Sequence, residues 1–407
     1  MRIGIDYTSA VTQGAGIGRY TRELLRAVLA QSSQNTYSLF YASPQKMRPA
    51  EFGIPPAGFL IRRLPFHDKW LMRVWQRLRL PIPVELIIGK VDLFHSPDFT
   101  LPPTLPGVPT LLTVHDLSFI RDPDSAWPSL RAFLNEAVPR SVKRAFHVLA
   151  DSQATKNDLI ELLGTPAEKI TVLYSGVERR FAPVRDQAQI DRVCAKYDLP
   201  RPFILSVGTL QPRKNYGRLI EAFGQFINMP QPSTSPHSVH ALSAERGRAG
   251  RDASSDFHLV ITGGKGWLYE SIFEQVKQSG LEGHMHFPGF VDDDDLPALY
   301  SAADLFSYVS LYEGFGLPLL EAMACGTPVI GSSTSSLPEV IGEAGLQVDP
   351  RSVDEIASAL QQMIAHPELR EKSIGLGLER AQLFTWEKAA RKLLTVYDRI
   401  SAPSPAV

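Results

Sequence analysis

Residues 310–332 read SLYEGFGLPLLEAMACGTPVIGS, and their order is strand end, glycine-broken turn, helix, tight turn and short strand. Glu313 precedes the helix and Glu321 lies inside it, with seven residues between them. A helix that opens near Phe315 and Gly316 rises roughly 1.5 Å per residue, which puts Glu321 beyond its first turn. One carboxylate then faces the mouth of the helix while the other lies along its flank. Gly314 and Gly316 let the backbone approach a ligand with no Cβ in the way. The N–H groups of Phe315, Gly316 and Leu317 open the helix, and a helix N-terminus attracts phosphate. Such a stretch suits a sugar joined to a diphosphate, the carboxylates taking hydroxyls and the helix end taking the anion. Taken alone, Glu-Gly-Phe-Gly reads equally as an ordinary turn and Glu321 as an ordinary helix glutamate.

The longer string separates these readings. EGFGLPLLEAMACGTPVI, Glu313 to Ile330, resembles the signature of the retaining glycosyltransferases of family 4. Their fold is GT-B, an α/β architecture of two doubly wound, Rossmann-like domains facing a cleft. The resemblance covers nearly the whole chain apart from residues 229–256. It implies transfer of a sugar from a nucleotide-diphosphate donor with retention of anomeric configuration. It also implies that neither a cofactor nor a bound metal is needed.

Composition fits this. A chain of 407 residues exceeds one typical core and points to two domains. A hydrophobic content of 44% with 21% charged residues is that of an ordinary globular protein. The net charge of −1 provides no global field to gather nucleic acid, so any anion site is local. Cys194 and Cys325 lack metal-ligand spacing and read as reduced thiols, which fits a cytoplasmic address. The opening MRIGIDYTSA carries no signal-peptide apolar core, and no apolar run reaches the roughly 18 residues of a membrane span.

Along the first half, residues 2–6 alternate as a first parallel strand. TQGAGIGRY follows, with Gly14, Gly16 and Gly18 ahead of an amphipathic helix. A glycine loop between strand and helix cradles an anion by geometry, yet the spacing is not that of a dinucleotide site. The resemblance places Gly16, and after it Arg19, beside the donor diphosphate and the acceptor. Residues 67–81, HDKWLMRVWQRLRLP, have helical spacing of apolar residues with interleaved cations. They read either as a membrane-surface helix gathering anionic lipid or, preferably, as a helix burying Trp70 and Trp75 with its arginines solvated. Residues 109–115 form an apolar run expected of a strand buried on both faces. It ends at His115, where an open α/β sheet puts its ligands, and the motif Val-His-Asp resembles the family's cleft histidine. His95 ends a strand in the same way with less context. Ser152 reads as the N-cap of a helix over 153–163. Ser175 stands where the family carries asparagine.

Residues 178–202 read as the link to a second domain. There GTLQPRKNY follows an apolar strand at 203–207. Arg213 and Lys214 precede a helix whose candidate N-cap is Asn215. Cations at a helix N-terminus oppose its dipole, which costs stability unless an anion binds there. The family's lysine in this loop holds the donor phosphates, and Thr209 stands where many members carry arginine. Residues 229–256 read as a flexible insertion. Gly263 lies in a glycine turn at a strand's carboxyl end. Phe290 and Val291 resemble the family's frame for the nucleotide base. Asp292 to Asp295 read as a helix N-terminal acidic run rather than a metal site.

The expected organisation is an acceptor-side domain over 1–178, completed by a helix over 385–403, and a nucleotide-sugar domain over 200–384. The expected site has Lys214 and Arg213 on the diphosphate, completed by Gly16 and the Gly314–Leu317 amides. Glu313 holds the transferred sugar, Glu321 takes the ribose, and His115 orients sugar or acceptor. Thr209, Gly263, Phe290 and Val291 complete the donor contacts. The partners are a nucleotide sugar and a glycan or lipid-linked acceptor, with a peripheral membrane contact left open and no nucleic acid. The form VGTLxPRKN resembles mannosyltransferases that use GDP-mannose in surface-polysaccharide assembly. A UDP-glucose-type donor, or a nucleotide-sugar-binding protein without turnover, stands as the alternative.

Overall fold

The computed structural model describes residues 1–14, 16–31, 34–46, 59–229, 254 and 256–401. Nearly all of the expected 229–256 insertion lies outside these residues. The chain divides into two compact units, Met1–Glu178 with Phe384–Val407, and Arg179–Leu383.

In the first unit the described strands are β1 (Arg2–Asp6), β2 (Thr36–Ala42), β3 (Phe59–Leu64), β4 (Leu93–Ser96), β5 (Thr110–Val114), β6 (His147–Ala150) and β7 (Ile170–Val172). They form one parallel sheet in the order β3-β2-β1-β4-β5-β6-β7. Every residue of β5 is buried, as a strand covered on both faces requires. The core gathers Phe40, Phe94, Leu112, Val114 and Val148 from the sheet. The Ile17–Gln31 helix buries Tyr20, Leu24 and Val28 at helical spacing. The last helix, Trp386–Ser401, belongs to this unit. It is tied there by Gln31 Nε2 donating to the Glu387 carbonyl at 2.9 Å and by a 2.8 Å hydrogen bond between His95 Nδ1 and the Tyr397 hydroxyl.

The second unit carries β8 (Phe203–Val207), β9 (His258–Thr262), β10 (Met285–Gly289), β11 (Leu305–Tyr308), β12 (Val329–Ser332) and β13 (Gly345–Val348). These are parallel in the order β10-β9-β8-β11-β12-β13. The strand order reverses beside β8, since β9 and β11 flank it. In open α/β sheets that switch point, at the carboxyl ends of the strands, is where ligands bind. The Tyr216–Asn228 helix buries Leu219, Ile220, Phe223 and Phe226 against the sheet.

Local expectations fared unevenly. Ser152 is the N-cap, its Oγ accepting the Thr155 N–H at 3.0 Å. A short helix, Thr8–Thr12, intervenes between β1 and the glycine loop. The segment read as a connector holds a helix, Gln187–Lys196, which packs in the second unit with Ile190 and Val193 buried. The span 67–81 is helical only to Arg77, and its second half, Met72–Arg77, is a widened π-turn. Trp75 is buried but Trp70 is 56% exposed. Trp70 lies in the Asp68–Leu71 turn and Trp75 in the π-turn that follows, and the core takes only the second.

Candidate functional site

The second unit gathers its polar loops at the carboxyl ends of β8, β9, β10 and β11. The Gly208 N–H donates to the Thr262 carbonyl at 2.8 Å and the Gly263 N–H to the Gly289 carbonyl at 2.9 Å. These bonds bring the loops after β8, β9 and β10 side by side. Thr209 is exposed on that rim. Phe290 is 69% exposed, while Val291 is buried.

At the centre stands an ion cluster. Pro212–Lys214 is a single 3-10 turn. From it Lys214 Nζ donates to Glu313 Oε1 at 2.7 Å and to the Tyr308 hydroxyl. Arg213 Nη1 donates to Glu313 Oε2 at 2.8 Å and to the Tyr312 carbonyl at 2.6 Å. Lys214 and Glu313 are buried. The sequence conflict of two cations before a helix is thus met by an anion from the chain itself. Burial pushes the Glu313 carboxyl up, but the charges of Arg213 and Lys214, with the Lys214 and Ser310 hydrogen bonds, outweigh it and hold it at about 2. The Arg213 carbonyl accepts the Leu311 N–H at 2.9 Å, locking the two loops together.

The loop that carries Glu313 is pinned from behind. The Glu313 N–H donates to Ser335 Oγ at 3.0 Å. Ser336 Oγ donates to the carbonyls of Glu313 and Phe315, both at 2.9 Å. Gly314 and Phe315 are buried beneath the turn. Gly316 takes a left-handed φ of 107° and begins the Leu317–Ala324 helix. A Cβ there would meet Leu337 Cδ2 at 2.6 Å, so the turn needs glycine for both conformation and space. Glu321 lies inside that helix, buried, its Oε2 accepting the Tyr300 hydroxyl at 2.9 Å.

One capping expectation is corrected. Asn215 occupies the N-cap position in a left-handed conformation without a side-chain cap. Its Nδ2 donates instead to the carbonyls of Val309 at 2.9 Å and Pro350 at 2.6 Å, tying the cation loop to the end of β11. The aspartate run does lie at a helix N-terminus, with Asp295 in the N-cap position of Leu296–Ala302 and without a side-chain cap. Lys196 Nζ binds Asp292 and Asp295 at 2.7 and 2.6 Å, and Arg180 binds Asp293 at 3.3 Å. Among the described residues no group of three or more His, Cys, Asp or Glu is arranged to hold a metal ion.

In the first unit His115 follows β5 and is buried between the rings of Tyr20 and Phe99. Nδ1 lies 2.7 Å from Asp151 Oδ2, and Nε2 lies 2.8 Å from the Pro97 carbonyl. Burial pushes its pKa down. The charge and hydrogen bond of Asp151, the charge of Asp98 and the Pro97 carbonyl reverse this and raise it to about 9. His115 is therefore an imidazolium whose two nitrogens are engaged by its own unit. His95 lies in the core with both nitrogens bonded, to Tyr397 and to Thr113 Oγ1, and burial pushes it down to about 3. Gly16 takes a φ of 53° ahead of the Ile17–Gln31 helix. Arg19 pairs with Glu178 at 3.3 Å. Arg22 clamps the glycine loop by donating to the carbonyls of Ala10, Gln13 and Gly14 at 2.7, 2.9 and 3.0 Å.

Sequence reasoning passed over Tyr308, Tyr300, Asp151, Arg22 and the Ser335-Ser336 pair. Tyr308 and Asp151 carried one usable signal, a polar group at the carboxyl end of a buried strand.

Residues 14–181 match the family described as Glycosyltransferase Family 4, and residues 190–377 the one described as Glycosyl transferases group 1. The O-antigen chain mannosyltransferase B of Escherichia coli is 30% identical over 94% of this chain and 95% of its own length. The chain belongs to glycosyltransferase family 4. The serotype-specific mannosyltransferase WbdA of E. coli is 28% identical over 79% of this chain, which spans 38% of that protein. Among solved structures, a sucrose-phosphate synthase from Thermosynechococcus elongatus superposes with a TM-score of 0.73 at 21% identity, covering 99% of this chain and all of that one. Anabaena HepE in complex with UDP and glucose gives 0.69 at 18%, over 98% and 99% of the two chains. These likenesses show the GT-B fold. The protein is a glycosyltransferase, similar to mannosyltransferases of O-antigen synthesis.

Proposed function

We propose that this transferase moves mannose from GDP-mannose, with retention of configuration, onto a glycan or lipid-linked acceptor of a surface polysaccharide. The observation that carries this reading is the buried cluster of Lys214, Arg213 and Glu313, two cations on one carboxylate with a formal charge of +1. Its position at the switch point beside β8 suits a diphosphate. The similarity to an O-antigen mannosyltransferase over 94% of the chain supports the sugar.

A diphosphate entering the cluster draws Lys214 and Arg213 toward its oxygens. Glu313 is then released from balancing them and takes hydroxyls of the transferred sugar. The Gly314–Leu317 turn serves the same anion. Glu321, oriented by Tyr300, takes the ribose, and Phe290 with Val291 frames the base beside Thr209 and Gly263. Charge building on the departing phosphate is stabilised where cations are already in place. The anomeric carbon loses its bond to the phosphate oxygen and gains one to the acceptor oxygen on the same face. The acceptor's proton passes to the departing phosphate. His115 serves as a fixed positive charge on the acceptor-side unit. Lys214 and Arg213 supply the positive charge at the departing diphosphate, and this reading invokes no cofactor. Two free, buried cysteines support a cytoplasmic address.

The test is transfer and slow hydrolysis of GDP-mannose measured against UDP-glucose. Lys214→Ala and Glu321→Ala each weaken donor binding by on the order of ten- to a hundredfold, about 1.4 kcal/mol per decade. Unchanged donor affinity in both variants refutes the site. Preference for the UDP sugar refutes the donor.

A further inference from the structure

We infer that residues 70–82 of the first unit form a preformed docking surface for an anionic lipid bilayer. This inference rests on that surface and not on the donor assignment. Within these 13 residues Trp70, Leu78, Leu80 and Ile82 are 56%, 64%, 41% and 42% exposed. A folded chain seldom leaves four large apolar side chains outside in so short a stretch unless a partner covers them.

The exposure is built in rather than left by a loose loop. Leu78 and Leu80 N–H groups donate to the carbonyls of Arg73 at 2.8 Å and Val74 at 3.0 Å. Trp75 is buried, and its Nε1 donates to the Ile82 carbonyl at 3.0 Å. Gln76 is buried beside it, its Nε2 donating to the Leu101 carbonyl at 2.9 Å. Trp75 and Gln76 thus anchor the segment inward, and every residue from Arg77 to Ile82 is exposed.

Charge selects the occupant. From Phe66 to Ile82 the chain carries four cations, Lys69, Arg73, Arg77 and Arg79, against one carboxylate, Asp68, in a protein whose net charge is −1. Arg79 is paired with Glu136, and the other three are exposed around the apolar residues. The Arg73 guanidinium lies 5.2 Å from the centre of the Trp70 ring. An indole flanked by a long cationic side chain is the pairing that suits a bilayer interface, where the ring sits at headgroup depth and the charge reaches lipid phosphate. A protein partner of neutral or basic surface gains nothing from these cations. Among the described residues no helix is long and apolar enough to cross a membrane, so the contact is peripheral.

The test is sedimentation of the full-length protein with vesicles of phosphatidylcholine, alone or mixed with phosphatidylglycerol. Binding is expected to the mixed vesicles and to weaken with salt. Arg73→Gln with Arg77→Gln lowers the partition coefficient by about thirtyfold, at roughly 1 kcal/mol per cation. Leu78→Ser with Leu80→Ser lowers it as well. Both double variants keep the wild-type circular dichroism and the wild-type rate of donor hydrolysis, since none of these side chains belongs to the ion cluster. Wild-type protein that ignores anionic vesicles overturns the inference. So does binding that both variants retain, or a concentration-dependent dimer that Leu78→Ser with Leu80→Ser abolishes while vesicle binding persists.

Discussion

Replacing Glu313 by glutamine removes the anion that Arg213 and Lys214 share while keeping its shape. The magnitude follows from the carboxyl itself, whose pKa falls from an ordinary 4.5 to about 2 in the folded protein. A gap of about 2.5 units, at about 1.4 kcal/mol each, is about 3 kcal/mol of stability. The group is buried, so solvent screening takes little of it. A depressed pKa places that contribution above pH 4.5, where the carboxylate is charged in both folded and unfolded chains. It is lost as pH falls through about 2, where the folded carboxylate takes up its proton. Urea unfolding is the assay, wild type against Glu313→Gln, from pH 7 downward. The variant is expected to be less stable by about 3 kcal/mol at pH 7, and the difference should shrink between pH 4.5 and 2. Inorganic pyrophosphate should bind the variant more tightly, because the formal charge of the three residues rises from +1 to +2. Equal urea midpoints at pH 7, or a difference that does not change with pH, refute the coupling of carboxylate and cations.

Three further outcomes are expected. His115 stays protonated to about pH 9, so the stability it lends is full below pH 6.5 and lost as pH rises through about 9; imidazole nitrogen NMR should place its titration there, and Asp151→Asn should lower it. Gly316→Ala forces a Cβ against Leu337 at a φ of 107° and should cost about 1–3 kcal/mol of stability, read as a lower Tm. Tyr300→Phe removes the hydrogen bond to Glu321 and should cost about 1–3 kcal/mol, read by urea unfolding, with a higher KM for the donor as the sign that Glu321 has lost its orientation.

The fold was legible because its signals are local. The apolar runs at 109–115 and 203–207 mark doubly covered strands, and Ser152 followed by a periodic stretch marks a helix start. Glu313 and Glu321 were legible as a pair because a single turn and helix carry both. The chemistry of Arg213 and Lys214 could also be read, since two cations before a helix demand an anion.

Tertiary structure decided which anion that is. Glu313 reaches cations about a hundred residues away in the chain because β11 lies beside β8, and no local pattern encodes which strand is a neighbour. The same distance explains why Asn215 spends its side chain on Val309 and Pro350 instead of capping its helix. Sheet order likewise decided the partners of His115, read as a cleft histidine, whose nitrogens are engaged by Asp151 and Pro97. Sequence determined which groups must find partners, through hydropathy, helix ends and charge. Packing chose the partners, because hydrogen bonds and ion pairs form between whatever the sheet order brings within about 3 Å.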